Sequence, residues 1–243
     1  MAASKYDGKV ILSTRWNQGG PYNNFVPWNF SAGRRSSTGC VTAAQAQVLY
    51  YWLNSEYGKD ITISLTDKEA YNYYSTSGDL RYTIDASKEN AEKFKYLPFD
   101  QVNAILEKRD YASTDYIAAL NFTVGVWHCI DFDEYYGLAS GFPSDWFYHD
   151  VGMRLANFDM WGDSTDWDES KQSFVITDPF YEVLIDNLLA GCPVVVTNYD
   201  HAYIIDGYNS ANDTFHVNWG DGKSGTWRNR ASLNSLGNES FLL

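Results

Sequence analysis

The chain changes its period at Gly191-Cys192-Pro193. Upstream, Asp178 to Leu189 reads as a helix, stopped by Gly191 with Pro193 just beyond. Downstream come three β-like runs: Val194 to Val196, Ala202 to Ile205 and Thr214 to Trp219. Turn residues such as Asn209-Ser210-Ala211-Asn212-Asp213 part them, as in hairpins. The earlier part of the chain is helical in pattern. Thr38-Gly39 lead into Cys40 to Leu53, a stretch free of Gly and Pro. There Val41, Ala44, Val48 and Tyr51 fall at near-helical spacing and predict one apolar face. Residues 66–75 and 85–95 read as polar helices, 98–109 as a short helix begun at Pro98, and 113–128 as a helix capped at Ser113. Residues 137–145 read as a Gly/Ser/Pro loop and 146–158 as a further helix, while the first 35 residues are extended and looped. A helix-rich half over 1–160 followed by a strand-rich half over 175–243 is an α+β pattern with two lobes. No linker separates the halves, so 1–243 is expected to be a single domain.

Composition narrows the partners. The 243 residues bury enough surface for a core without staples, and 44% apolar with 17% aromatic content excludes a disordered chain. Eighteen basic against 31 acidic side chains leave a net charge of −13, which disfavours phosphate backbones and anionic membranes. Neither nucleic acid nor a membrane is therefore an expected partner. No apolar run approaches the roughly 18 residues of a membrane span. Met1-Ala2-Ala3-Ser4 has no signal-peptide pattern, and a leader removed earlier is compatible with it. The three cysteines, Cys40, Cys129 and Cys192, lie far apart and do not form a disulfide framework or a zinc spacing. No metal and no organic cofactor is expected.

One thiol stands apart. Cys40 lies in the first turn of its helix, where orphan N–H groups and the dipole favour the thiolate. A thiolate is a nucleophile, although a free Cys is more often a small buried hydrophobe. It needs a base, and the chain has four histidines. His201 stands where a loop enters the strand Ala202 to Ile205, at the mouth of a cleft or on a solvated loop. Asn218, at the end of the next strand, is placed to accept an imidazole N–H, with Trp219 covering the bond from water. Gln18, in a Gly-rich turn before the Cys40 helix, is an oxyanion donor candidate together with the Cys40 backbone N–H.

Other candidates have plainer readings. His128 and Cys129 are adjacent and suit core packing, and Cys192 precedes an apolar run. Asp131, Asp133 and Glu134 read as a solvated rim rather than a Ca²⁺ loop. Trp161 to Asp168 is acidic and aromatic, a surface loop that has the makings of a stacking site for a sugar or peptide.

Four blocks together carry a resemblance: Trp16-Asn17-Gln18-Gly19-Gly20-Pro21-Tyr22-Asn23, Thr38-Gly39-Cys40-Val41-Thr42-Ala43 with Ala46-Gln47-Val48, His201-Ala202-Tyr203-Ile204-Ile205-Asp206-Gly207, and His216-Val217-Asn218-Trp219-Gly220. In content and order they resemble the streptopain family of papain-like cysteine peptidases, peptidase family C10. The resemblance implies a papain-like two-lobed fold, a helical lobe carrying the Cys and an antiparallel β lobe carrying the His. It implies Cys40 as nucleophile, His201 as base, Gln18 as oxyanion donor, and Asn218 and Trp219 as the residues that orient and shield the His. It implies a protein or peptide substrate, bacterial secretion or cell-surface location, and a precursor whose N-terminal prosegment inhibits the enzyme. By analogy Gly137 and Ser140, with Asp200 beside the His, line the substrate side. Asp200 is further expected to favour the imidazolium form of His201.

The chain departs from the family pattern at Asp221-Gly222-Lys223, where a second Trp and Gly are usual, and at Asp200, where a small residue is usual. The family's central aromatic block is faint around Tyr96 to Val102. The reading that follows is a cysteine endopeptidase. An amidase, peptidoglycan hydrolase or transpeptidase on the same scaffold, or a non-catalytic binding module, are the alternatives.

Overall fold

In the computed structural model, residues 4–74, 81–132, 137–138, 165–170, 173–198, 200–236 and 238–242 are described. The chain forms two compact units, one of Asn17–Arg154 and one in which Met1–Trp16 joins Leu155–Leu243.

The Asn17–Arg154 unit is built on helices. A short antiparallel pair, β1 (Trp28–Asn29) and β2 (Arg34–Arg35), precedes α1 (Cys40–Leu53). Then follow the hairpin β3 (Tyr71–Tyr74) and β4 (Arg81–Ile84), α2 (Lys88–Phe94), α3 (Phe99–Glu107), α4 (Thr114–Trp127), and the pair β5 (Asp131–Phe132) and β6 (Gly137–Leu138). α4 packs on both α1 and α3. It is buried continuously from Ala118 to Trp127, as expected of a helix that is apolar on all sides. Tyr96, Phe99, Phe122 and Phe132 form an aromatic cluster with ring centroids 5.8–6.4 Å apart. The faint block around Tyr96 is thus core packing.

Two expectations for this unit change. The predicted helix over 66–75 is instead a single 3-10 turn, Asp67–Glu69, capped by Thr66, followed by strand β3. Its Tyr-rich sequence favours a pleated surface once Arg81–Ile84 pairs with it. The apolar face assigned to α1 is also different. Of Val41, Ala44, Val48 and Tyr51, only Ala44 is fully buried, and the buried set is Thr42 through Gln47 with Leu49 and Leu53. Three alanines in that set let neighbouring elements approach closely, so the helix is enclosed on more than one side.

The second unit is a sheet with a helix on one face. Its hairpin β7 (Thr165–Asp168) and β8 (Ser173–Ile176) precedes α5 (Asp178–Ala190). The five strands β9 (Val194–Asn198), β10 (Ala202–Asn209), β11 (Thr214–Asn218), β12 (Thr226–Asn229) and β13 (Asn238–Leu242) lie in the order β12-β11-β10-β9-β13, all antiparallel. A short helix, α6 (Arg230–Asn234), follows β12. Phe180, Tyr181, Leu184 and Leu188 of α5 pack on Val194, Val196, Tyr203, Ile205, Phe215 and Val217. The predicted helix over 146–158 and most of the 137–145 loop lie outside the described residues.

The first residues of the chain complete this sheet. β9 pairs with β10 only over Ala202–Ile205. Beyond that point the N-terminal strap takes over the ladder. Gly8 N–H donates to the Tyr208 carbonyl (2.8 Å) and Ile11 N–H to the Asp206 carbonyl (2.7 Å). Leu12 and Trp16 are buried, Tyr6 packs against Gly191, and Asp7 accepts from Ser210 N–H (2.8 Å) and Oγ (2.5 Å).

Candidate active site

In the Asn17–Arg154 unit, Cys40 is the first residue of α1 and is half-buried. The residue before it, Gly39, has φ +84°, a conformation that costs an L side chain about 1 kcal/mol or more. Glycine at this position supplies no side-chain cap, and no acidic residue stands in the first turn. The positive end of the helix is therefore not offset by its own side chains, and it acts on the sulfur of Cys40.

Gln18 is tied to the same place. Thr38 N–H donates to the Gln18 carbonyl (3.0 Å). Ser37 Oγ donates to Gln18 Oε1 (3.4 Å) and accepts from Gly39 N–H (3.2 Å). With Oε1 engaged by Ser37, Nε2 is the donating end of the amide. Ser37 thus links the oxyanion donor candidate to the residue preceding the thiol. Sequence reasoning passed over it, and its one signal was a hydroxyl three residues ahead of the candidate nucleophile.

In the sheet unit, His201 closes the tight connection from β9 to β10. Asn198 N–H donates to the His201 carbonyl (2.9 Å), and Asn198 Oδ1 accepts from the N–H groups of Asp200 (3.0 Å) and His201 (2.7 Å). The ring Nε2 lies 2.8 Å from the Trp219 carbonyl oxygen. A carbonyl only accepts, so Nε2 carries a proton in every state of this bond. Nδ1 is then the nitrogen that takes up and gives back a proton.

Trp219 is held firmly enough to serve as that partner. Its ring stacks on His201 at 6.3 Å and 26°, meets Tyr203 at 5.1 Å, and lies under the Arg228 guanidinium at 5.0 Å. Its indole N–H donates to Thr226 Oγ1 (3.4 Å). Asn218 accepts from Gly220 N–H (3.0 Å) and donates to the Thr14 carbonyl (3.3 Å), joining the strap to the turn that follows Trp219. Sequence reasoning chose both residues by type but did not foresee the role of the Trp219 main chain, which has no signature in side-chain identity.

The remaining candidates are placed as follows. Asp200 is exposed, Gly137 pairs with Phe132 at the start of β6, and Ser140 lies outside the described residues. His128 is buried against Gln45 Oε1, and burial pushes its pKa down to about 3, so it stays neutral inside the helical unit. Burial pushes the thiols of Cys129 and Cys192 up, which disfavours their thiolates. Asp131 begins β5, while Asp133, Glu134 and residues 161–164 fall outside the described residues; 165–168 form β7. Among the described residues no group of three or more His, Cys, Asp or Glu is arranged to hold a metal ion, and no helix is long and apolar enough to cross a membrane.

Known proteins show the same arrangement of elements. Two solved structures from Prevotella intermedia align with 99% of this chain: a fragment of prointerpain A, at TM-score 0.59 and 21% identity over 72% of its length, and the active wild-type interpain A cysteine protease, at TM-score 0.57 and 19% identity over 95% of its length. At that identity the likeness establishes the papain-like α+β fold. No curated protein matches the chain by sequence. The family model for peptidase C10 matches residues 16–227, a span that runs from the turn before Gln18 past Cys40 and His201 to the strand that follows Trp219. The chain belongs to the peptidase C10 family.

Proposed function

We propose that this cysteine peptidase is an endopeptidase with Cys40 as nucleophile and His201 as its base. The observation that carries the reading is Cys40 at the uncapped start of α1, inside a chain matched by the C10 family model. The Cys40 thiolate attacks the carbonyl carbon of a peptide bond. The oxyanion is received by Gln18 Nε2–H and the Cys40 backbone N–H. His201 delivers its Nδ1 proton to the leaving amine, and the C–N bond breaks. Water then attacks the acyl-enzyme, passing a proton to His201, and Cys40 leaves as thiolate. Trp219 holds His201 through its carbonyl, and Asn218 secures the turn that follows. Each residue has a part in one reaction, so the whole chain is read as one peptidase domain.

Secretion from a bacterium, and synthesis as a precursor whose N-terminal prosegment inhibits the enzyme, belong to the same reading. The streptopain resemblance and the likeness to prointerpain A support them. Gly137, Ser140 and Asp200 are proposed to border the substrate.

The test is casein cleavage under reducing conditions by the wild type and Cys40→Ala. Cleavage lost in the variant is the expected result. Rapid alkylation of Cys40 near pH 6 without casein cleavage would shift the reading to an amidase or transpeptidase, and peptidoglycan fragments would then be the substrates to try. A sluggish thiol with no cleavage would leave a binding module.

A further inference from the structure

A second histidine lies behind the turn that carries the Trp219 carbonyl. His216, on β11, is buried, and both of its ring nitrogens are engaged. Nδ1 is 2.6 Å from Asp206 Oδ1, and Nε2 is 2.9 Å from the Ser224 carbonyl oxygen. The imidazole edge meets the Trp227 ring at 5.2 Å.

The fold makes this arrangement deliberately. β10 and β11 run in register until Ile205, and the register then slips, so that Asp206 is an extra residue before Gly207 pairs with His216. Ile205 and Tyr208 both point into the core although they are three apart, so the slip leaves Asp206 and Gly207 together on the opposite face, where His216 stands. The strap holds Asp206 from its other side, with Leu12 N–H donating to the carboxylate. On the loop side, Gly225 has φ +72°, and a Cβ there would come within 2.6 Å of His216 Cε1 and 2.4 Å of the Val217 carbonyl. Only glycine lets the loop lie this close to the ring.

The loop pressed onto His216 begins at Trp219. Along residues 219–225 it is fixed by the Trp219 carbonyl on His201 Nε2, by Gly222 N–H on the Trp16 carbonyl (3.2 Å), and by the Ser224 carbonyl on His216 Nε2. Asp221 and Lys223 pair with each other at its exposed tip (3.2 Å). One proton is shared between Asp206 and His216 Nδ1. The Ser224 carbonyl only accepts, so Nε2 is protonated whichever way the shared proton lies.

We propose that His216 is a positioning residue for the peptidase reaction. Its Nε2–H bond to the Ser224 carbonyl fixes the 219–225 loop, and the loop in turn sets the Trp219 carbonyl that orients His201. The proposal rests on the reading of His201 as the base.

Two substitutions separate the halves of the clamp. In His216→Gln the side-chain NH₂ reaches the place of Nε2 and keeps the bond to Ser224. In His216→Asn the shorter amide reaches only the place of Nδ1 and keeps the bond to Asp206. The Gln variant is expected to keep kcat within about threefold, and the Asn variant to lose about 10- to 100-fold in kcat with KM within about twofold, the effect of misplacing a reacting group. The reverse order, or equal losses that follow the melting temperatures, would overturn the proposal.

A readout independent of cleavage is the imidazole ¹⁵N–¹H spectrum. In the wild type, His216 Nε2 should be protonated, and the His201 Nε2–H should exchange slowly. The His201 signal should stay slow in the Gln variant and exchange fast in the Asn variant. An unprotonated His216 Nε2 in the wild type would overturn the proposal even if neither variant folds. Cys40→Ala assayed alongside keeps the two readings apart: cleavage that survives it refutes the assignment of Cys40, while the exchange data still decide the clamp.

Discussion

Ser37 stands between Gly39 and Gln18, accepting a hydrogen bond from one and donating one to the other. An amide has two chemically different ends, and an oxyanion is stabilised by only one of them. The Ser37 hydroxyl sets the choice by occupying Oε1. Gln18→Ala is expected to lower kcat by about 100-fold, the usual loss on removing one oxyanion donor. Ser37→Ala is expected to lower kcat by about tenfold while leaving the melting temperature close to that of the wild type, because a part-exposed hydroxyl contributes about 1 kcal/mol or less to stability. Steady-state kinetics beside a thermal melt check both. Equal activity in Ser37→Ala and the wild type would show that Gln18 needs no such orientation. His201 follows the same logic with main chain in place of side chain: its partner is the Trp219 carbonyl. A carbonyl has no sequence signature, which is why residue types alone led to the neighbouring side chains of Asn218 and Trp219 and no further.

At the level of elements, legibility followed how local the forces are. α1, α3, α4 and α5 declared themselves through caps, breakers and apolar content, and each begins and ends within two residues of its expected limits. The hairpins of β9, β10 and β11 were equally plain. β3 was hidden because a Tyr-rich run becomes a strand only once it pairs with Arg81–Ile84, β12 because it is a short, largely exposed edge strand, and β13 because its partner β9 lies far back in the chain. The strap was hidden for the same reason: Gly8 and Ile11 bond to residues nearly two hundred positions away. Its contribution can be measured. Removing residues 1–12 exposes the free edge of β10, deletes the buried Leu12 and strips Asp206 of a donor. The loss should be about 3–5 kcal/mol, from one large apolar side chain and several hydrogen bonds. Urea unfolding of the shortened chain tests this, and an unchanged midpoint would mean that the strap follows the sheet without supporting it.

For the whole molecule, acid stability has a specific author in His128. Unfolded, its imidazole takes a proton near pH 6.5; folded, burial holds that proton off until about 3. The folded pKa lies below the unfolded one, so the unfolded chain binds more protons throughout this window. Stability is therefore full above about pH 6.5 and falls as the pH drops toward 3, by on the order of 5 kcal/mol. Carboxylates act in a lower range. Hydrogen bonds from Ser210, Lys88 and Arg230 hold Asp7, Asp100 and Asp213 below their ordinary values, and their effect comes below about pH 4. Melting temperature followed from pH 7 to 4.5 should decline in the wild type and stay nearly flat in His128→Gln, whose amide can still donate to Gln45. Parallel declines would assign the acid limb to other groups.

The strap has one more consequence, which concerns time rather than energy. Translation makes Met1–Trp16 before Asn17–Arg154, and the strand those residues pair with after it. Asn17–Arg154 is continuous, so the unit holding the thiol has all its parts while translation is still under way, as domains generally fold in the order they emerge. The sheet waits for strands β9 to β13, with the Met1–Trp16 segment held in reserve. The nascent polypeptide thus holds its proposed nucleophile, Cys40, long before its proposed base, His201.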